Sequence, residues 1–257
     1  MASPSLHILN GDSLLHRFPD KITGQKLVMR ECLMDGPVGA SLEQDLDLFF
    51  KDRVTFLGAL TDQDISEEKY LKEVGDLFEK IQSTTDNNNL YLWFEHDLFC
   101  QVNSWFILWL ISKNTTQDYT VWMVHPKEEA PYSFAAHTAE ELVHALEDAQ
   151  PVTKLDQLAQ LWPAYCNQNN QRLVTLAHVL ESTYPFLMPA VQAHLDRQET
   201  LDSPGRPIQT LREIMRENPS ATFGEVFRLL SKKEAIYGFG DLQVQRLLQS
   251  MDRNKKD

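Results

Sequence analysis

Four short clusters hold most of the residues in the N-terminal half of this chain that are equipped for chemistry. They are Asn10-Gly11-Asp12-Ser13, Arg30-Glu31 with Asp35-Gly36-Pro37, Glu95-His96-Asp97 with Gln101 and Asn103, and His125-Pro126. Carboxylate beside imidazole suits acid–base work or the binding of Mg²⁺, Mn²⁺ or Zn²⁺. Gathered around one cleft, Glu95, His96, Asp97 and His125 are the catalytic candidates. Asn10, Gly11, Asp12, Ser13, Arg30, Glu31, Asp35, Gly36, Gln101 and Asn103 are the ligand-binding candidates, with Arg30 as an anion clamp. Asp12, Glu95 and Asp97 are metal or base candidates, and His96 and His125 acid–base candidates, with a divalent metal one of the open alternatives. A phosphate near so many carboxylates is repelled unless a cation or Arg30 offsets them, whereas a cationic or neutral ligand needs neither. The plainer reading makes Asp97 a helix cap and pairs Glu95 with His96 locally.

The clusters share a position. Short apolar runs at Leu6–Asn10, Lys26–Arg30, Val54–Ala59, Leu90–Glu95 and Tyr119–His125 read as strands, and amphipathic stretches between them read as helices. That alternation predicts an α/β fold, a largely parallel sheet covered by helices in the doubly wound manner. Four of the five predicted strands then run into polar clusters at the carboxyl edge, where open α/β sheets bind their ligands. Ser41–Gln44 and Thr138–Glu141 have the spacing of capping boxes, and Asp64 is placed to cap the helix carrying Tyr70, Leu71, Val74, Leu77, Phe78 and Ile81. A helix from about Leu98 to Ile111 is apolar nearly all round and should be buried, with Trp105 and Trp109 in the core. Asn87-Asn88-Asn89 reads as a loop, His7 as a packed histidine, and the remaining histidines as structural or exposed.

Charge divides the chain. Lys and Arg number 24 against 37 Asp and Glu, a net −13. Residues 1–150 carry 11 basic and 25 acidic side chains (−14), residues 151–204 carry 3 and 5 (−2), and residues 205–257 carry 10 and 7 (+3). The three segments are expected to be an α/β ligand-binding domain, a helical connector (Leu155–Cys166, Gln171–Ser182, Leu187–Gln198) and a helix-turn-helix-like module of three helices. In that module Leu211, Ile214 and Met215 should face inward, and Gln243, Gln245, Arg246 and Gln249 should form an outer face able to read base edges. A charge of +3 is feeble for nucleic acid, so a packing or interaction role is favoured over DNA binding. Three scattered cysteines, no visible signal peptide and no apolar run longer than Trp105–Ile111 predict a cytoplasmic chain with no membrane partner.

Two resemblances carry information. Gly11-Asp12-Ser13 after an apolar strand resembles the opening of the serine esterases called GDSL or SGNH hydrolases, whose base comes from a late Asp-x-x-His. No such motif occurs here, and the nearest is Glu141-Leu-Val-His144 in an ordinary helix. His7-x-x-x-Gly11-Asp12-Ser13, Arg30-Glu31-x-x-x-Asp35-Gly36-Pro37 and Glu95-His96-Asp97-Leu-Phe-x-Gln101-x-Asn103 together resemble the bacterial domain-of-unknown-function family eighteen thirty-five. Ala193-His194-Leu-x-Arg197 and Tyr237-Gly-Phe-Gly-Asp241 extend the likeness. It implies one bacterial architecture and no reaction. Three functions follow as expectations: a cleft binding a small polar ligand, with or without a metal; a ligand-sensing protein whose C-terminal module contacts a protein or DNA; or an acyl hydrolase using Ser13.

Overall fold

The computed structural model describes residues 5–38, 46–61, 66–83, 89–114 and 119–253. Successive side chains leave a strand on opposite faces, so period-two apolar runs make a sheet with two buried sides. In β1 (Ser5–Asn10) Leu6 and Ile8 face one core and His7 and Leu9 the other, and all four are buried. β2 (Gln25–Met29), β3 (Asn89–Trp93) and β4 (Thr120–Val124) extend it in parallel, and a two-residue β5 (Gln150–Pro151), outside the expected set, adds an antiparallel edge. The order is β2-β1-β3-β4-β5. The protein is mixed α/β with a five-stranded, mostly parallel sheet.

α1 (Asp12–Leu15) follows β1, and α2 (Leu46–Thr61) follows β2. α3 (Glu67–Tyr70) runs through a π-helical turn (Leu71–Gly75) into α4 (Asp76–Ser83); α5 (Leu98–Lys113) follows β3, and α6 (Ala139–Glu147) follows β4. The predicted strand Val54–Ala59 is instead the second half of α2. Its composition favours a strand, but the period does not. Phe49, Phe50 and Arg53 are buried and Leu57 packs on the core, the spacing of one helical face. The capping box at Thr138 and Glu141 forms as expected, whereas Ser41–Gln44, Asp64, Asn87 and Asn88 lie outside the described residues. Ser66 caps α3. Thirteen of the sixteen residues of α5 are buried, so it lies between the sheet and further helices rather than at the surface.

Those helices are α7 (Leu155–Leu158), α8 (Leu161–Cys166), α9 (Asn170–Leu180) and α10 (Leu187–Asp196). Trp162 meets Phe106 edge-on at 5.0 Å, and one hydrophobic cluster runs from Leu6 to Ala193 and takes in Tyr237. α11 (Arg206–Glu217), α12 (Phe223–Lys233) and α13 (Asp241–Arg253) have a small core of their own, built on Leu211, Ile214, Val226, Leu230, Val244 and Met251. Met215, expected inside it, is exposed. Among the described residues no helix is long and apolar enough to cross a membrane.

Two fastenings set the carboxyl edge of the sheet. Glu31, just past β2, is buried and belongs to an ion pair rather than a cleft. Arg53 of α2 donates Nη2 to its carboxylate at 2.6 Å and also donates to the carbonyls of Cys32 and Asp35; Tyr70 donates its hydroxyl to the same carboxylate. At the other side Gly238, in the left-handed region at φ 63°, sits against the carboxylate of Asp97, where a side chain would collide. The turn around it brings the C-terminal helices over the strand ends.

Arg53→Met strands the Glu31 charge in the interior and is expected to cost about 3–5 kcal/mol in urea denaturation, with a smaller loss in the double variant Glu31→Leu/Arg53→Met. Gly238→Ala should cost at least about 1–2 kcal/mol from backbone handedness alone, and a wild-type melting curve would show that the turn does not press on Asp97.

Candidate functional site

β1 is flanked by β2 on one side and β3 on the other, so the topological switch point lies between β1 and β3. Their exits meet in one polar network. Asn103 of α5, fully buried, donates to Asn10 Oδ1 (2.9 Å) and to the Glu31 carbonyl (2.7 Å) and accepts from Leu33 N (3.2 Å). Asn10 Nδ2 donates to Cys100 Sγ at 2.8 Å, and the thiol donates to Glu95 Oε2 at 2.9 Å. Phe134 N donates to Glu95 Oε1, and Gln101 Nε2 donates to the Glu95 carbonyl. Asp97 caps α5 by accepting from Cys100 N at 3.0 Å. Asn10, Glu95, Asp97, Gln101 and Asn103 are therefore brought together, and Cys100, which residue chemistry alone did not single out, joins them.

Burial decides the charge here. It pushes Asp97 up to about 7, aided by the neighbouring Glu95 carboxylate; it raises Glu95 and lifts the Cys100 thiol well above its ordinary range. Burial thus favours the protonated form of all three groups. Their ligand atoms lie within 4.8 Å of one another, a donor set of one sulfur and two oxygens that fits Zn²⁺ better than Mg²⁺.

The other expected residues disperse. Arg30 closes its fork on Asp12 (2.7–3.1 Å), an exposed pair that occupies the guanidinium proposed as an anion clamp. Gly11 sits at φ 88° and donates its N–H to Met29 O, and Ser13 is exposed with no histidine or carboxylate hydrogen-bonded to it among the described residues. His96 and His125 pair with each other at 3.1 Å, with His96 stacked on Phe186 at 4.3 Å, and both line a separate cavity of about 530 Å³. Burial holds His96 down to about 4 and lowers His125, so both are neutral. His7 is a packed histidine, accepting from Trp93 Nε1 and bonded to the Thr23 carbonyl.

Asp35 and Gly36 border a cavity of about 870 Å³ between the loop after β2, the ends of α8 and α10, and α11 and α13. Arg246 Nη1 reaches Asp35 at 3.2 Å and Arg197 Nη1 at 3.9 Å; Tyr165, His194, Gln198 and Gln243 are also in its walls. The face of α13 expected to read bases is divided: Gln243 is buried and donates to Cys32 Sγ, while Gln245, Arg246 and Gln249 are exposed, with Arg246 bonded to Asp35 and Gln249 at the cavity rim. Helical periodicity locates a face but not the body it packs on. The Ala193-His194-Leu-x-Arg197 stretch was visible in the sequence as a motif, but its contact with Asp35 depends on a loop about 160 residues earlier. The carboxylates are consequently much less bare than their number implies, since Asp12, Glu31 and Asp35 each face an arginine.

No protein-family model, curated protein or solved structure matches the chain. Fold and site alone define what it can do.

The buried acids set a pH dependence. Asp97 is raised from 3.8 to about 7, so its contribution to stability is full in acid and is lost as pH rises through about 7. His7, His96 and His194, lowered from 6.5 to about 4, act oppositely: their contribution is full above 6.5 and is lost as pH falls toward 4. Asp97→Asn keeps a capping side chain and should melt several degrees above the wild type at about pH 8 while matching it more closely in mild acid. Parallel pH profiles for the two proteins would contradict this.

Proposed function

We propose that this chain is a cytoplasmic small-molecule-binding protein whose polar ligand occupies the cavity between the carboxyl edge of the sheet and the C-terminal helices. The observation that carries this reading is the cavity itself. Its volume, about 870 Å³, is that of a small-ligand site, and it opens beside Asp35 and Gly36 at a strand end. The network of Asn10, Glu95, Asp97 and Cys100 at the switch point is the neighbouring chemistry, able to hold and release protons or to take a divalent metal. The likeness to domain-of-unknown-function family eighteen thirty-five supports a single architecture in which α/β unit and helical tail belong together.

A sensing role is favoured by one further observation. α13 forms a wall of the cavity through Gln243, Arg246 and Gln249, so occupancy bears directly on the last helix. On this reading the helix-turn-helix-like module reports on the ligand to a partner rather than reading base edges with that face.

Thermal-shift screening of the full chain against small polar metabolites, grouped by charge, tests the binding reading. Ligands should raise the melting temperature of the wild type and fail to do so for Gln249→Trp, which fills the cavity from an exposed position. Equal shifts in both proteins would place the ligand elsewhere and overturn the reading.

A further inference from the structure

We infer that the ligand of the large cavity is a small organic anion, a carboxylate or phosphate, which takes the place of Asp35 between Arg197 and Arg246. This inference rests on the binding reading above and specifies its chemistry.

Two guanidinium groups converge on one carboxylate, Arg246 at 3.2 Å and Arg197 at 3.9 Å, so Asp35 alone faces two positive charges. Both are held in place independently of Asp35. Arg197 donates Nη2 to Met34 O (2.9 Å) and to the Tyr165 hydroxyl (3.0 Å), while Arg246 lies over the Phe56 ring at 5.0 Å. Planar, pre-oriented forks of this kind bind carboxylate and phosphate through paired hydrogen bonds. Asp35 reaches them from a loop whose Gly36, at φ 79°, lies flat against Phe56. It acts as a resident counter-ion that an incoming anion replaces.

The rest of the wall is polar and uncharged on one side. His194 lines the cavity with its Nε2 at 3.0 Å from Gln198 Nε2, and the Asn170 and Gln198 amides bond to each other. The exposed Glu199 is the other acid lining the cavity, and it disfavours a ligand that is anionic along its whole length.

Calorimetric titration of the full chain with citrate, inorganic phosphate and pyrophosphate, with glucose and putrescine as neutral and cationic probes, tests this. Asp35→Asn uncovers both arginines and is expected to bind at least one anion about tenfold more tightly than the wild type; Arg246→Gln should bind it about tenfold more weakly. Citrate favoured over the phosphates assigns a carboxylate, and the reverse assigns a phosphate. If Asp35→Asn does not fold, Arg246→Gln decides alone, and anion affinity equal to wild type overturns the inference. Failure of every anion to bind Asp35→Asn at millimolar concentration also overturns it. Binding of glucose or putrescine that Gln249→Trp abolishes, with Asp35→Asn and Arg246→Gln unchanged, overturns the anion and keeps the cavity. Anion binding unaffected by Gln249→Trp overturns both.

Discussion

The side-chain amide of Asn103 ties the exits of two strands to the helix that follows a third. From the second turn of α5 it reaches Asn10 at the end of β1 and the backbone of Glu31 and Leu33 beyond β2, while α5 itself begins just past β3. Asn103 and the backbone groups of Glu31 and Leu33 that it meets are buried, and leaving one unpaired costs about 1–3 kcal/mol. A helix buried on nearly every side cannot turn a polar residue outward to solvent. The network therefore fixes the rotation of α5 and the separation of the strand ends together. Cys100, Gln101 and Asp97 acquire their positions from that one constraint.

From there the carboxyl edge is built by enclosure. Glu31 and Arg53 fasten α2 to the exit of β2, the loop carrying Asp35 follows, and the turn at Gly238 lays the C-terminal helices on top. The helical tail is consequently a wall of the candidate site. The local basic excess of the last segment is spent partly on Asp35 and Glu234, through Arg246 and Arg206, rather than on an outward-facing phosphate-binding surface.

What was legible in the sequence was whatever depends on local period. The alternation of Leu6, His7, Ile8 and Leu9 between the two faces of β1, the capping residue Thr138, and the all-round apolarity of α5 each fold as their spacing requires. Polar strand ends were legible as well, because an apolar run that stops at Asn10 or Glu95 must stop somewhere wet or bonded. Val54–Ala59 misleads because β-branched and aromatic residues, Val54, Thr55 and Phe56, stand side by side in it, and Arg53, the residue that shows the helical period with Phe49, Phe50 and Leu57, is charged yet fully buried. Partnerships across long sequence separations were illegible. Nothing local distinguishes Arg30, paired with Asp12 on the surface, from Arg197, which reaches a loop from the far side of a cavity.

The cavity between Asp35, Arg197 and Arg246 is the feature on which ligand binding turns. A crystal structure of the full chain grown with the anion that binds most tightly tests this most directly. The account predicts density for the anion bridging the two guanidinium groups, with the Asp35 side chain turned away from Arg246. Density for the anion elsewhere on the molecule, with the Asp35–Arg246 pair intact and the cavity holding only solvent, would contradict it.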